Sequence, residues 1–386
     1  MYDDVSVPLS PDALAAALSV RDLTDPSAGP HAMQLLVDDI VDALRDRWKA
    51  CVLRHRGHRI VPVEDNYDRL RYPPKAVARD ARYTRYASDT CVLRSHASAM
   101  VPAALRKLAG EERAGAASDD VLLACAGVVY RRDSIDRLHT GTPHQLDLWR
   151  VVAPTRPSMG DDDLVAMIGA VVASALPGAR WRTLPTQHPY TLLGREIEVW
   201  DATTNGWIEV GECGLAHPDV LASSGLVDRS GLALGLGLDR LLMLRKGVPD
   251  IRILRSSDDR VASQLLDLAP YRAVSAMPAV RRDLSVAVDA AVDAETLGDR
   301  VRDALGPDAS AVEELAILTE TPCDDLPAPA RERLGIRSGQ KNVLLRLVLR
   351  PIDRTLTDDD ANDLRDRVYG AIHEGGAHQW ARGSRD

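Results

Sequence analysis

The middle of the chain carries a series of strand-like runs, and this series restricts the possible folds more than any other feature of the sequence. The runs lie at 121–130, 145–152, 195–201 and 206–211, and a glycine-rich run that continues as a helical pattern follows at 230–247. A helix is predicted to begin at the acidic cluster 161–163, because acidic side chains suit the positive end of a helix dipole. Strands and helices in this order predict an α+β domain.

The segments on either side have different patterns. A long amphipathic helix is predicted from His31, because Met33, Leu36 and Ile40 recur at helical spacing, and Gly57 is predicted to end it. The segment 1–30 is interpreted as an N-terminal appendage, since a helix-start signal is followed by the breaker DPSAGP.

The tail of the chain predicts a domain of its own. Strand patterns (DLSVAVD, VEELAIL and NVLLRLVLR) alternate with helical ones (AETLGDRVRDAL and DDDANDLRDRVYGAI), as in an α/β sandwich. We therefore divide the chain into an appendage (1–30), a first domain (31–262), a linker (263–276) and a second domain (277–386).

Composition excludes several classes of protein. A net charge of −9 gives no general attraction for nucleic acid, so any RNA contact would need local basic patches. No apolar run of about 18 residues occurs, and the acidic N-terminus lacks a targeting pattern, so we expect a cytoplasmic protein without a membrane partner. The five cysteines are odd in number and have no CxxC spacing, which argues against a disulfide framework and a structural zinc site.

The first segment with chemical content is VVYRRDSIDRLHTGTPHQLDLW at 128–149. It places Arg131, Asp133, His139, Gln145 and Asp147 on two strand-like runs joined by a loop. Because alternate residues of a strand share a face, Arg131 and Asp133 can point into one site. Taken alone, the segment is equally compatible with a hairpin whose charges are solvated.

The second segment is GLALGLGLDRLLMLRKGVPDIR at 231–252. Gly235 and Gly237 would allow a flat group to approach the backbone, and Arg240 opens the helix that follows. An ordinary glycine-rich strand followed by a surface arginine would have the same pattern. The segment lacks the Gly-Lys-Ser/Thr ending of a P-loop, so such a loop is not expected.

In this order and at this spacing, the two segments resemble motifs 2 and 3 of the class II aminoacyl-tRNA synthetases, in the form found in phenylalanyl-tRNA synthetases. Members of that family read approximately YRRDxIDxxHxxxFHQxEG and GxAFGLGxERLxMLxxGIxDIR. This chain has Pro143 and Leu234 at two phenylalanine positions, and Asp147 and Asp239 at two glutamate positions.

The resemblance extends over about 31–386. The segments EDNYDRL, LRSHASA and WIEVGECGLAHPDVL resemble further parts of the family's catalytic core, and MPAVRRDLSVAV and RPIDRTLTDDDAN resemble its ferredoxin-fold anticodon-binding domain. This order is that of the single-chain organellar form. The resemblance implies a class II antiparallel sheet flanked by helices, which is the catalytic domain, followed by a ferredoxin-like α/β sandwich domain.

The resemblance also implies a reaction. An amino acid attacks ATP in the presence of Mg²⁺ to give an aminoacyl-adenylate, and the aminoacyl group then passes to tRNA, here tRNA-Phe. Such chemistry depends on positioning and positive charge more than on a protein nucleophile. The residues implied to bind ATP or act on its phosphates are Arg131, Arg240, His139, Asp133, Glu209, Gly235 and Gly237, with Glu209 the candidate for Mg²⁺ or the ribose.

The implied amino-acid site contains Gln145 and Asp147 on the side of the substrate's ammonium group, with His96 and Ser98 beside them. Asp147 is one methylene shorter than the family's glutamate.

The implied side-chain pocket departs from the family pattern. His188 and Tyr190 replace the two phenylalanines of the family's FPFTEPS, Glu212 replaces a glycine, and Ala233 keeps the small residue at the pocket floor. Buried polar groups could reject a plain phenyl ring or favour a hydroxylated one.

Three functions remain open on the sequence. The chain could ligate phenylalanine to tRNA, activate a ring-modified phenylalanine analogue, or act as a non-catalytic synthetase-like RNA-binding protein. The tail disfavours a fourth, adenylation of a small acid without tRNA. Organellar relatives suggest a monomer, whereas other class II cores dimerise near the region of the long helix at 31–53.

The chain contains no phenylalanine, although on the order of ten would be usual for its length. Tyr67, Pro143, His188, Tyr190 and Leu234 stand where the family uses this residue. Drift and composition are one explanation. The other hypothesis is selection for translation without charged tRNA-Phe, as a backup or resistance enzyme would require.

Overall fold

The computed structural model describes residues 8–80, 83–274, 278–351 and 354–378. The chain divides into two compact units, of which the first consists of Met1–Arg131, Thr142–Val248 and Ser263–Tyr271, and the second of Arg132–Gly141, Pro249–Ala262 and Arg272–Asp386. This division differs from the predicted one, because 132–141 and 249–262 group with the tail. Of the predicted appendage, linker and second domain, residues 1–7, 275–277, 352–353 and 379–386 lie outside the described residues.

The first unit contains nine of the strands that the described residues form. They are β1 (Cys51–Arg54), β2 (Ile60–Pro62), β3 (Cys91–Leu93), β4 (Asp120–Val128), β5 (His144–Val152), β6 (Trp181–Pro185), β7 (Thr191–Asp201), β8 (Gly206–Ala216) and β9 (Ser230–Gly237). Its helices are α1 (Pro11–Ser19), α2 (Ala32–Trp48), α3 (Val63–Asn66), α4 (Val101–Arg113), α5 (Asp161–Ala175), α6 (Pro218–Ser223) and α7 (Leu238–Lys246). The predicted strand runs fall on β4, β5, β7, β8 and β9.

Seven of these strands form one sheet in the order β1-β4-β5-β9-β8-β7-β6. All neighbours are antiparallel except β1 and β4, which are parallel. The antiparallel sheet that the sequence predicted is therefore confirmed. The short strands β2 and β3 form a separate pair.

The two faces of the sheet have different environments. On one face, the guanidinium of Arg150 lies 4.2 Å from the ring centre of Trp48, so α2 covers this side. On the other face, apolar residues of α4 and α6 pack with Leu123, Trp149 and Ala233 at one end of the strands. The remainder of that second face carries the predicted site residues.

The helix α2 is shorter than predicted. Its buried face is the predicted apolar one, but the helix ends at Lys49, whose φ of 54° is left-handed, and not at Gly57. The chain must leave the helix there because Cys51–Arg54 pairs with β4 as an edge strand. The predicted start of α5 at the acidic cluster is confirmed, since the Asp163 carboxylate accepts the backbone N–H of Gly160 at 2.9 Å.

The segment 20–30 is part of the first unit and not an appendage. Asp22 is buried and accepts hydrogen bonds from the Thr24 hydroxyl at 2.7 Å and the Val128 N–H at 3.2 Å. The Leu23 N–H donates to Nε2 of His144 at 3.0 Å. These contacts join the segment to the ends of β4 and β5. The contacting positions lie more than 100 residues apart, so no local sequence pattern predicts the connection.

The second unit contains α8 (Asp259–Ala262), β10 (Val280–Asp289), α9 (Ala294–Leu305), β11 (Val312–Pro322), α10 (Ala328–Leu334), β12 (Gln340–Leu349) and α11 (Asp358–Ile372). Its described strands form an antiparallel sheet in the order β10-β12-β11. Apolar residues of α9 and α11 pack on this sheet, and Ile135 belongs to the same core. This arrangement is that of the predicted α/β sandwich.

No helix in the described part of the chain is long and apolar enough to cross a membrane.

Replacement of Asp22 by alanine is expected to lower the free energy of unfolding by about 3 kcal/mol or more, because the buried guanidinium of Arg94, 3.8 Å away, would lose its counter-ion. Burial raises the pKa of Asp22, but the hydrogen bonds of Thr24 and the charge of His144 outweigh it and leave the pKa below its usual value. The stabilisation should therefore be present above the ordinary pKa of aspartate and disappear in acid. Urea unfolding at several pH values measures this.

The matched control for this experiment is Asp12→Ala, in the exposed first turn of α1. It is expected to change the free energy of unfolding by no more than about 0.5 kcal/mol. If both variants lost the same small amount of free energy of unfolding, the conclusion that the segment 20–30 packs as part of the first unit would be wrong.

Candidate functional site

A row of residues crosses three strands of the large sheet on its open face. Asp147 on β5 pairs with Gly235 on β9, which pairs with Glu212 on β8, so the three positions share one face. Gln145 and Trp149 lie on that face as well, because side chains alternate along a strand. We call Asp147, Gly235 and Glu212 the central row.

The carboxylate of Asp147 is held in a fixed orientation. Its Oδ2 accepts a hydrogen bond from the Ser98 hydroxyl, and its Oδ1 accepts one from Nε1 of Trp149 at 2.7 Å. Burial raises the pKa of Asp147 to about 6, against the opposing effect of these hydrogen bonds and the charge of His188. The side chain is therefore a buried acceptor that is ionised at neutral pH.

The loop after β3 is fixed to β5 beside this carboxylate. Oε1 of Gln145 accepts the backbone N–H of Ala97 at 2.9 Å, which places His96 and Ser98 next to Asp147. The ring of His96 stacks on Tyr72, with 5.6 Å between the ring centres. Burial, with a smaller contribution from the charge of Arg131, lowers the pKa of His96 to about 4, so the imidazole is neutral at pH 7.

Aromatic side chains surround the same carboxylate. The ring centre of Tyr190 lies 6.2 Å from that of Tyr72, 6.4 Å from that of Trp149 and 5.7 Å from that of His188. We call these four residues the aromatic chamber. Nε2 of His188 lies 2.7 Å from Oε2 of Glu212, so one wall of the chamber is polar.

The end of β8 nearer α7 carries a second polar cluster. Arg240 donates from one guanidinium nitrogen to Oε2 of Glu209 and to the Glu209 carbonyl, both at 3.0 Å. A register shift between β7 and β8 pairs Glu198 with Glu209 but Glu196 with Glu212. The irregularity, a β-bulge, turns Glu209 to the same face as Glu212 although they are three residues apart.

The glycines of β9 leave open space beside these groups. A Cβ added to Gly235 would lie 3.5 Å from Oδ2 of Asp147, and one added to Gly237 would lie 3.8 Å from the Val210 carbonyl. Both are ordinary contacts, so the protein's own packing does not require glycine there. The buried Ala233 pairs with Trp149 across the strands.

Two predicted residues belong to the second unit. Nδ1 of His139 lies 2.6 Å from Oδ2 of Asp136. The Asp133 carbonyl accepts a hydrogen bond from Arg302 at 2.5 Å. Asp133 and His139 both lie in the segment Arg132–Gly141, whereas Arg131 ends the preceding segment of the first unit.

The first unit brings most of the predicted residues onto one face. They are His96, Ser98, Gln145, Asp147, Glu209, Glu212, Ala233, Gly235, Gly237 and Arg240, with His188 and Tyr190 in contact with them. Sequence reasoning missed Trp149 and Tyr72 as parts of the site. Trp149 could have been found, since it lies two residues after Asp147 on a strand and therefore on the same face.

Metal binding by protein side chains alone is not supported. Among the described residues there is no group of three or more histidine, cysteine, aspartate or glutamate side chains placed to hold an ion. Glu209 is a partly exposed carboxylate of the kind that binds Mg²⁺ when nucleotide phosphates supply further ligands.

Known proteins resemble this chain over most of its length. Residues 20–265 match the family of tRNA synthetases described as the class II core domain (F). The chloroplastic/mitochondrial phenylalanine–tRNA ligase of Arabidopsis thaliana is 30% identical over 82% of this chain and 70% of its own length. The probable mitochondrial phenylalanine–tRNA ligase of Drosophila melanogaster is 26% identical over 81% of this chain and 75% of its own.

A bacterial relative matches a shorter part of the chain. The phenylalanine–tRNA ligase alpha subunit of Deinococcus radiodurans is 31% identical over 62% of this chain and 70% of its own length. The family match begins at residue 20, which agrees with the packing of Asp22 and Leu23 in the first unit.

The raised pKa of Asp147 predicts that Asp147→Asn stabilises the protein above pH 6. Because the folded pKa lies about two units above the ordinary value, the ionised carboxylate costs about 2–3 kcal/mol at pH 8 and nothing below pH 3.8. The free energy of unfolding that the variant gains should therefore be larger at pH 8 than at pH 3 by about 2–3 kcal/mol, as measured by urea unfolding. A difference that does not depend on pH would contradict this account.

Proposed function

The chain belongs to the class II aminoacyl-tRNA synthetases, and among them to the phenylalanine–tRNA ligases, and from this premise we propose how its own residues attach phenylalanine to tRNA-Phe with ATP. The observation that carries the proposal is the buried carboxylate of Asp147, held by Ser98 and Trp149 beside the aromatic chamber. A fixed anion next to aromatic rings is the arrangement that an aromatic amino acid needs for its ammonium group and its side chain.

The amino acid is bound by the central row and its neighbours. Asp147 accepts the ammonium group, and the Gln145 amide group orients the loop that carries Ser98. The neutral ring of His96 adds no positive charge that would repel the ammonium. The benzyl side chain of the substrate lies against Tyr190 in the aromatic chamber.

ATP is bound along β9 and the start of α7. The open backbone at Gly235 and Gly237 receives the flat adenine, and Arg240 is held by Glu209 in one orientation to meet the phosphates. Arg131 supplies positive charge at the phosphate that the amino acid attacks. Such preorganised charge is the main source of catalysis in this chemistry.

Glu209 would contribute a carboxylate oxygen to Mg²⁺ that is bound mainly by the nucleotide. When bound, the ion neutralises phosphate charge.

The second unit is proposed to bind the anticodon region of the tRNA. The alignment with the Arabidopsis thaliana enzyme covers 82% of this chain. Residues 1–276 make up less than 82% of the chain, so the alignment extends into the tail. The unit also offers exposed positive charge, for Arg331 and Arg333 on α10 and Arg337 after it are all exposed. Phosphate contacts of this kind supply most of the affinity for nucleic acid.

The proposal is tested by amino-acid-dependent ATP–pyrophosphate exchange with phenylalanine. Arg131→Ala and Arg240→Ala are each expected to lower kcat/KM by about 100-fold or more, because each removes a preorganised cation from the transition state. Arg54→Ala, at an exposed ion pair with Asp38, is the control and should retain activity. Absence of exchange in the unmodified protein would support the non-catalytic alternative.

The role of the tail is tested separately. The double variant Arg331→Glu/Arg333→Glu is expected to raise the KM for tRNA-Phe about tenfold or more, because two cations become anions on the proposed RNA surface. Pyrophosphate exchange, which needs no tRNA, should not change. Arg47→Glu, at the exposed end of α2, is the control. An unchanged KM for tRNA would remove α10 from the proposed contact.

A further inference from the structure

One wall of the aromatic chamber is polar in a way that phenylalanine itself does not require. His188 and Glu212 stand where the family pattern has a phenylalanine and a glycine, and their side chains meet, with 2.7 Å between Nε2 and Oε2. The two changes are 24 positions apart in the sequence, yet they meet in the structure. A benzyl side chain has no group that could hydrogen-bond to either of them.

The His188–Glu212 pair faces the same space as the ammonium acceptor. Glu212 and Asp147 lie at the two ends of the central row, separated by two strand spacings, which is about 10 Å. Gly235, between them, has no side chain to fill this span. An amino acid whose ammonium group binds Asp147 can therefore extend its ring towards Glu212.

Glu212 has acceptor capacity to spare. His188 occupies Oε2, and no group in the described parts of the chain hydrogen-bonds to Oε1. The side chain of His188 is 11% exposed and that of Glu212 is 41% exposed, so the pair borders the open part of the chamber. A carboxylate oxygen in this position is a strong acceptor for a hydroxyl group.

The chamber already brings phenolic groups near this carboxylate. The pKa values of Tyr72 and Tyr190 are raised, mainly by burial, and the negative charge of Glu212 contributes to both shifts. Glu212 therefore acts electrostatically on hydroxyl groups that lie on the rings of the chamber. A hydroxyl on the ring of a substrate would enter the same field as a donor.

We propose that the His188–Glu212 pair binds a ring hydroxyl, so that this synthetase activates hydroxylated phenylalanines as well as phenylalanine. The proposal rests on the proposed function, since the same site must bind the amino acid. A site that hydrogen-bonds a substrate hydroxyl discriminates strongly against the analogue without it, because the site's polar groups would otherwise lose their partner. The partly exposed pair should give a smaller but measurable preference.

The experiment measures pyrophosphate exchange with phenylalanine and with 2-, 3- and 4-hydroxyphenylalanine. For each protein, the ratio of kcat/KM for the hydroxylated substrate to that for phenylalanine is compared. Glu212→Met, which keeps the size of the side chain but accepts no strong hydrogen bond, should lower the ratio of the preferred isomer about tenfold or more. The thermal unfolding of Glu212→Met, compared with that of the unmodified protein, shows whether the variant is folded.

Two further variants make the test specific. Glu212→Gln keeps an acceptor without the charge and should lower the ratio less than methionine does. Glu196→Gln removes the carboxylate that pairs with Glu212 from β7 and should leave the ratio unchanged. Equal ratios in the unmodified protein and in Glu212→Met, with phenylalanine active in both, would overturn this inference but leave the proposed function standing. Absence of exchange with every substrate would overturn both.

Discussion

The burial of the Asp147 carboxylate is the constraint on which the site depends. A carboxylate removed from water is unfavourable unless donors compensate it, and the Ser98 hydroxyl and the Trp149 indole do so in part. Ser98 reaches Asp147 only because Gln145 binds the backbone of the same loop, at Ala97. The order of strands β5, β9 and β8 then places Gly235 of the central row beside the carboxylate. Because glycine has no side chain, one side of the Asp147 carboxylate stays open to a ligand.

Much of the fold could be predicted from the sequence, because strand and helix patterns are local. The end of α2 could not, since Lys49 turns the chain out of the helix only because the next residues complete the sheet. The burial of Asp22 likewise depends on partners far along the chain. In the site, the motifs led to Ser98 and Asp147, but no pattern of residue types reveals the bulge that turns Glu209 to the face of Glu212.

One of the tyrosines that stand at family phenylalanine positions lies in the core. Tyr67 is fully buried at a position where the family uses phenylalanine, and its hydroxyl donates to the Ala78 carbonyl at 2.7 Å and contacts the Thr84 hydroxyl. A buried hydroxyl without a partner would cost about 1–3 kcal/mol. The surroundings of Tyr67 thus contain specific partners for the extra oxygen.

The loop Arg132–Gly141 and the tail form a single compact unit. Ile135 lies in the hydrophobic core of the α/β sandwich, and Arg302 donates to the carbonyls of Asp133 and Ser134 at 2.5 and 2.6 Å. The tail therefore packs together with this loop as well as with itself. A chimaera with the tail of another synthetase would have to carry the matching loop with it, and natural recombination of this domain would face the same requirement.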